Sequence, residues 1–156
     1  MPTRLLLLIG LLFSANAMAT KVETKSIDDV VERADYVIVA TVVSVDLVNA
    51  QGSIVNDPEA RTGEGDGNVI RLHVDTQEVL FPADADVPKR IVIELWPMWH
   101  YTLGQIKEEE LGNTGFFLLK GPKFEPAYPA FFHPSLDRRS EVMQAVERRL
   151  EKTLRK

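Results

Sequence analysis

Cysteine is absent from all 156 residues, and that zero excludes several chemistries at once. There is no disulfide framework, no thiolate-ligated zinc, no thiol nucleophile, and no cysteine through which an exported chain could carry a lipid anchor. Histidine is scarce. None of His73, His100 and His133 falls in an H-E-x-x-H or H-x-x-x-H spacing, so a zinc hydrolase has no support. The G-x-S-x-G elbow, a glycine-rich phosphate loop and a recognisable Ser/His/Asp set are missing as well, and no enzymatic activity is expected. Positive charge is also short. Eighteen Lys and Arg stand against 23 Asp and Glu, for a net charge of -5, where a nucleic-acid binder shows a strongly basic face. The longest apolar run, Leu5 to Phe13, is about half the ~20 residues that a spanning helix requires, so no membrane anchor is expected to remain after export.

That run has a different use. Arg4 precedes it and Ala17-Met18-Ala19 follows with the A-x-A pattern of a cleavage site, so residues 1–19 are expected to be a signal peptide and the mature chain to begin at Thr20, in the periplasm or outside the cell. Residues 20–156 suit a single domain, long enough to be stable without disulfides. Their charge is unevenly divided. Ser135 to Lys156 holds seven basic and four acidic groups, while Thr20 to Pro134 holds ten basic and nineteen acidic ones. A basic terminal helix packed on an acidic body follows.

Ser26 and Asp29 form an S-x-x-D capping box that starts a short helix over residues 27–33, with Ile27, Val30 and Val31 on one face. The β-branched run Tyr36 to Val48 then predicts a long strand, bent near Ala40 or Ser44. Alternation predicts further strands over 68–80 and 90–96. A fourth, over 116–120, is apolar on both faces. Phe124 to Pro134, with three of the nine prolines, reads as extended chain laid over the body. Ser135 is expected to cap a long C-terminal helix whose stripe is Val142, Met143, Val146, Leu150 and Leu154. The fold class is therefore β-rich α+β: a small antiparallel OB-like barrel with a short N-terminal and a long C-terminal helix.

Residues Ser26 to Val45, then Val69 to Leu80, then Gly115-Phe-Phe-Leu-Leu-Lys120, resemble the opening and core of netrin-like domains. The resemblance implies the OB-type barrel shared with tissue inhibitors of metalloproteinases and with many exported bacterial proteins. Inhibition in that family uses an N-terminal cysteine to chelate zinc. Here Thr20-Lys21-Val22 stands at the expected terminus, so the resemblance implies a fold without that activity.

The most unusual stretch is Trp96-Pro97-Met98-Trp99-His100-Tyr101. Trp96, Trp99 and Tyr101 are candidate anchors for an extracytoplasmic protein partner, since large aromatics dominate interface energetics. Trp96 and Trp99 would equally cover the barrel mouth, with Pro97 ending the strand. A third reading is a soft metal site: Met98 and His100 suit Cu(I), and the segment resembles that of a small periplasmic copper-chaperone family, without its methionine pair. Of the histidines, His73 is expected in solvent on a polar strand face and His133 partly buried against the barrel. The loop from Asn49 to Gly67, with four glycines and four acidic residues, is either functional, engaging the ligand with the barrel mouth, or disordered, and its low apolar content favours disorder in the free chain. The function that results is an exported, non-enzymatic binding module of unknown ligand, with Cu(I) binding as the alternative.

Overall fold

The computed structural model describes residues 23–155, so the expected signal peptide lies outside the described residues. Helix α1 (Ile27–Arg33) opens on a complete capping box: Ser26 Oγ accepts the Asp29 amide and Asp29 accepts the Ser26 amide. Strand β1 (Tyr36–Val48) follows after two residues and is the spine of the molecule. It pairs antiparallel with β3 (Val69–Phe81) on one side and β5 (Thr114–Lys120) on the other, and its far end meets the two-residue β2 (Ile54–Val55). Strand β4 (Arg90–Glu94) lies beyond β3, and β6 (Glu125–Pro126) beyond β5, giving the order β4-β3-β1-β5-β6. Three register shifts between β1 and β3, at Val37/Ile38, Val39/Ala40 and Val42/Ser44, bend the spine where the sequence predicts. Each bulge sharpens the local twist. The sheet curls into an antiparallel half-barrel whose edge strands β4 and β6 approach without pairing.

Both faces of the central strands are buried, which explains their unbroken apolar runs. Ile38, Ala40, Val42, Phe117 and Leu119 point into the curl with Leu72, Val74 and Ile93. Val37, Val39, Phe116 and Leu118 point outward into a second core made with α1 and α3 (Arg139–Leu154). One register slip would exchange the two sets.

Several expectations are corrected. A helix, α2 (Leu103–Glu110), interrupts the strands and buries Leu103 and Ile106 in the curl. Its start signal is Thr102-x-x-Gln105, with Thr102 Oγ1 accepting the Gln105 amide at 3.2 Å. Gly104 and the run Glu108-Glu109-Glu110 at the helix's negative end hide it from propensity. The terminal helix is preceded by a 3-10 turn (Leu136–Arg138), and Ser135 Oγ is bonded to Asp137 instead of capping. Its buried stripe is Val142, Ala145 and Val146; Leu150 and Leu154 are 45% and 87% exposed. The last turns meet α1 through Arg148, Arg149 and Lys152, which leaves Leu150 and Leu154 facing outward. The segment from Asn49 to Gly67 is ordered. Asn49 and Asp57 carboxamide and carboxylate oxygens accept amides two to four residues on, and its far half bonds to residues 99–104.

Candidate functional site

The open end of the curl carries a cavity of about 240 Å³ between residues 95–101, helix α2 and the segment 129–133. Its walls include Trp99, Tyr101, Phe132, His133, Glu109 and Glu110. Each wall is fixed by a different part of the chain.

Trp99 and Tyr101 follow the end of β4 in a tight turn, where the Trp99 amide donates to Trp96 O and the Tyr101 amide to Trp99 O at 3.1 Å. Thr62, from the loop expected to be disordered, is only 1% exposed and clamps that turn. Its Oγ1 donates to Trp99 O at 2.5 Å and accepts the Tyr101 amide at 3.2 Å, and its own amide donates to Tyr101 O. Amides of Leu103 and Gly104 donate to carbonyls of Ala60 and Pro58, extending the clamp into α2. Ring packing continues the order, Trp96 edge-on to Trp99 at 5.6 Å and Trp99 to Tyr101 at 5.9 Å. Burial, then the charges of Glu109 and Glu110, push the Tyr101 phenol above its ordinary range.

His133 is held from three directions. Its ring stacks on Phe117 with centroids 4.1 Å apart, Nδ1 lies 3.0 Å from Phe116 O, and Nε2 lies 3.4 Å from Glu110 Oε2. Gly115 makes this seat possible, since a Cβ there would stand 2.7 Å from His133 Cε1 and 3.0 Å from Pro134 O. A carbonyl accepts only, so Nδ1 donates to it and Nε2 is the ring nitrogen that faces Glu110. Glu110 Oε2 is enclosed and has no hydrogen-bond donor, and 3.4 Å is longer than a charge-assisted bond.

The residues singled out in the sequence are only partly gathered here. Trp99 and Tyr101 line the cavity; Trp96, 45% exposed, lines an adjoining groove of about 270 Å³ with Glu94, Pro97 and Pro126. Met98, 46% exposed, and His100 lie at the surface of the same turn, the His100 ring beside Gly63. Among the described residues, no three His, Asp or Glu side chains gather as a metal site. Phe132 and Thr62 went unmarked in the sequence, and Glu108-Glu109-Glu110, being consecutive, reads there as a solvated face; the buried role of Thr62 has no local signal, while the place of Glu110 becomes visible once α2 is recognised. His73 is not free in solvent. Together with Arg71, whose Nε and Nη2 each donate to Asp46 at 2.7 Å, its Nε2 donates to the same carboxylate at 3.0 Å across β1 and β3.

Comparison with protein-family models, with curated proteins and with solved structures finds no match.

Proposed function

We propose that the chain is an exported binding module, without catalytic activity, that holds an extracytoplasmic ligand in the cavity at the open end of its half-barrel. The observation that carries this reading is the cavity itself: aromatic rings and carboxylates converge on it, and the Thr62 clamp and the His133 seat hold them in place before any ligand arrives. Preorganised walls of this kind lower the entropic cost of binding. The hydroxyl on that wall is the Tyr101 phenol, which burial keeps protonated, a poor nucleophile. The half-barrel and its capping-box helix support the finer fold proposal, a netrin-like OB-type barrel.

Export is tested by fractionating cells that express the full chain and reading the mature terminus, expected at Thr20. A cytoplasmic, full-length product would remove the premise. Binding is tested by placing a photoreactive residue at Tyr101 in vivo: a discrete crosslinked species that disappears in Trp99→Ala supports the reading, and the absence of any species overturns it. The exposure of Met98 and His100 on one turn keeps Cu(I) binding as a second proposal. Anaerobic Cu(I) should then quench tryptophan fluorescence in the parent and not in Met98→Ala.

A further inference from the structure

We propose that the ligand of this cavity is an organic cation with N–H donors, a primary ammonium or a guanidinium, set against Trp99 and Tyr101 and bonded to the carboxylates of Glu109 and Glu110. The inference rests on the binding reading above and names its chemistry. Four observations carry it.

The carboxylates on the cavity wall are Glu109 and Glu110, and no lysine or arginine is among the described lining residues. Several basic groups elsewhere are engaged: Arg148 with Asp28, Lys152 with Glu32, Arg139 with Glu78, and Arg71 with Asp46. The carboxylates on the wall are under-supplied with donors. Glu109 Oε1 accepts one neutral amide, from Gln105 Nε2 at 3.0 Å, and Glu110 Oε2 accepts none. Glu109 is exposed and the Glu110 side chain is 25% exposed, so each carboxylate keeps area on which a ligand N–H can form a charge-assisted bond. Finally, Trp99 and Tyr101 stand beside the same two carboxylates, and a cation is drawn to the negative face of an indole or phenol ring. An anionic ligand would meet two carboxylates with no resident lysine or arginine to offset them. A purely apolar one would leave those carboxylates desolvated and unpaired.

Two sources share this chemistry, a small free amine and a lysine or arginine side chain of a partner protein. The full chain is purified in a Trp96→Phe background, so that Trp99 is the reporter, and titrated with n-butylammonium and, separately, with n-butanol, its neutral counterpart. The lysine peptide acetyl-Gly-Lys-Gly-amide is compared with its norleucine equivalent. The expected result is a saturable fluorescence change with the charged member of each pair and none with the neutral member. Tighter binding of the peptide than of butylammonium assigns the site to a partner's side chain, and the reverse assigns it to a free amine. Glu110→Gln and Glu109→Gln should each weaken binding by about tenfold or more, the scale of one charge-assisted hydrogen bond. Should Glu110→Gln fail to fold by circular dichroism, Glu109→Gln decides alone. Equal responses to charged and neutral probes, no response to either, or wild-type affinity in the folded carboxylate variants would overturn the proposal. If the Tyr101 crosslink survives such a result, the binding reading stands and only the cation is wrong.

Discussion

Gly115 shows how much one missing side chain decides. Its backbone has no unusual dihedral, yet the space where a Cβ would sit is taken by the His133 ring and the Pro134 carbonyl. The ring can rotate away, but then it leaves Phe117 and the Phe116 carbonyl; the carbonyl is held by the Phe116 amide and cannot move cheaply. Gly115→Ala should therefore cost about 1–3 kcal/mol in urea denaturation, the usual range for overpacking. By contrast a Cβ at Gly63 meets the exposed ring of His100 and, at 3.2 Å, the exposed Asp66 carboxylate, both free to swing aside, and Gly63→Ala should fall within about 0.5 kcal/mol of the parent. Asp46 carries the pH dependence at this scale. Hydrogen bonds from Arg71, helped by His73 and opposed by partial burial, hold its carboxyl below the ordinary value of 3.8. Its folded value is the lower one, so the stability it contributes is present above the ordinary value and is lost as pH falls through the folded value. Asp46→Asn should flatten that acid limb of a stability profile. Parallel limbs in parent and variant would assign the acid sensitivity elsewhere.

At the scale of elements, α3 is fastened to α1 by one arginine more than by its ion pairs. Arg149 Nη1 donates to Val31 O at 2.6 Å and to Ala34 O, carbonyls at the C-terminal end of α1, while its guanidinium lies 4.1 Å from the Phe81 ring centroid. A planar fork can do both, whereas an ammonium is a point donor. Arg149→Lys should lose about 1–2 kcal/mol and Arg149→Ala more, by thermal denaturation at neutral pH. The loop from Asn49 to Gly67 belongs to this scale too. Composition marks it as disordered, because order there comes from Thr62 and from carbonyls of Pro58 and Ala60, whose partners lie about forty residues on in the chain. Thr62→Val keeps the shape and removes the hydroxyl. It should destabilise by about 1–3 kcal/mol and open the loop to limited proteolysis, with Trp99 fluorescence moving in parallel.

At the scale of the whole molecule, the acidic body and basic helix meet as their charges suggest, with Arg148 on Asp28 and Lys152 on Glu32. Those pairs are half exposed, and pairs of that kind contribute little. What holds the helix is the outer core. Replacing Val146, 3% exposed, by Ala should cost about 2 kcal/mol, and Arg148→Ala with Lys152→Ala together less than about 1 kcal/mol, nearly independent of salt above 0.5 M. A larger effect from the charge variants would reverse that order.

Much of the architecture is local chemistry and was legible in the chain. The capping box at Ser26, the run from Tyr36 to Val48 with its bends, the doubly buried β5 and the extended segment before Ser135 all follow from periodicity, branching and proline, which act between near neighbours. Helix α2 was legible in its cap and concealed by its composition. The aromatic segment stood out by residue type alone, and two of its three anchors, Trp99 and Tyr101, reach the cavity. What the sequence could not determine is which distant groups meet them. Thr62, Glu110 and His133 converge because a bulged spine closes one end of the sheet over α2, and contacts between residues so far apart in the chain leave no periodic trace. Tertiary structure alone decided that the carboxylates at the end of α2 line a cavity together with aromatic rings, and that is where the chemistry of a ligand is set.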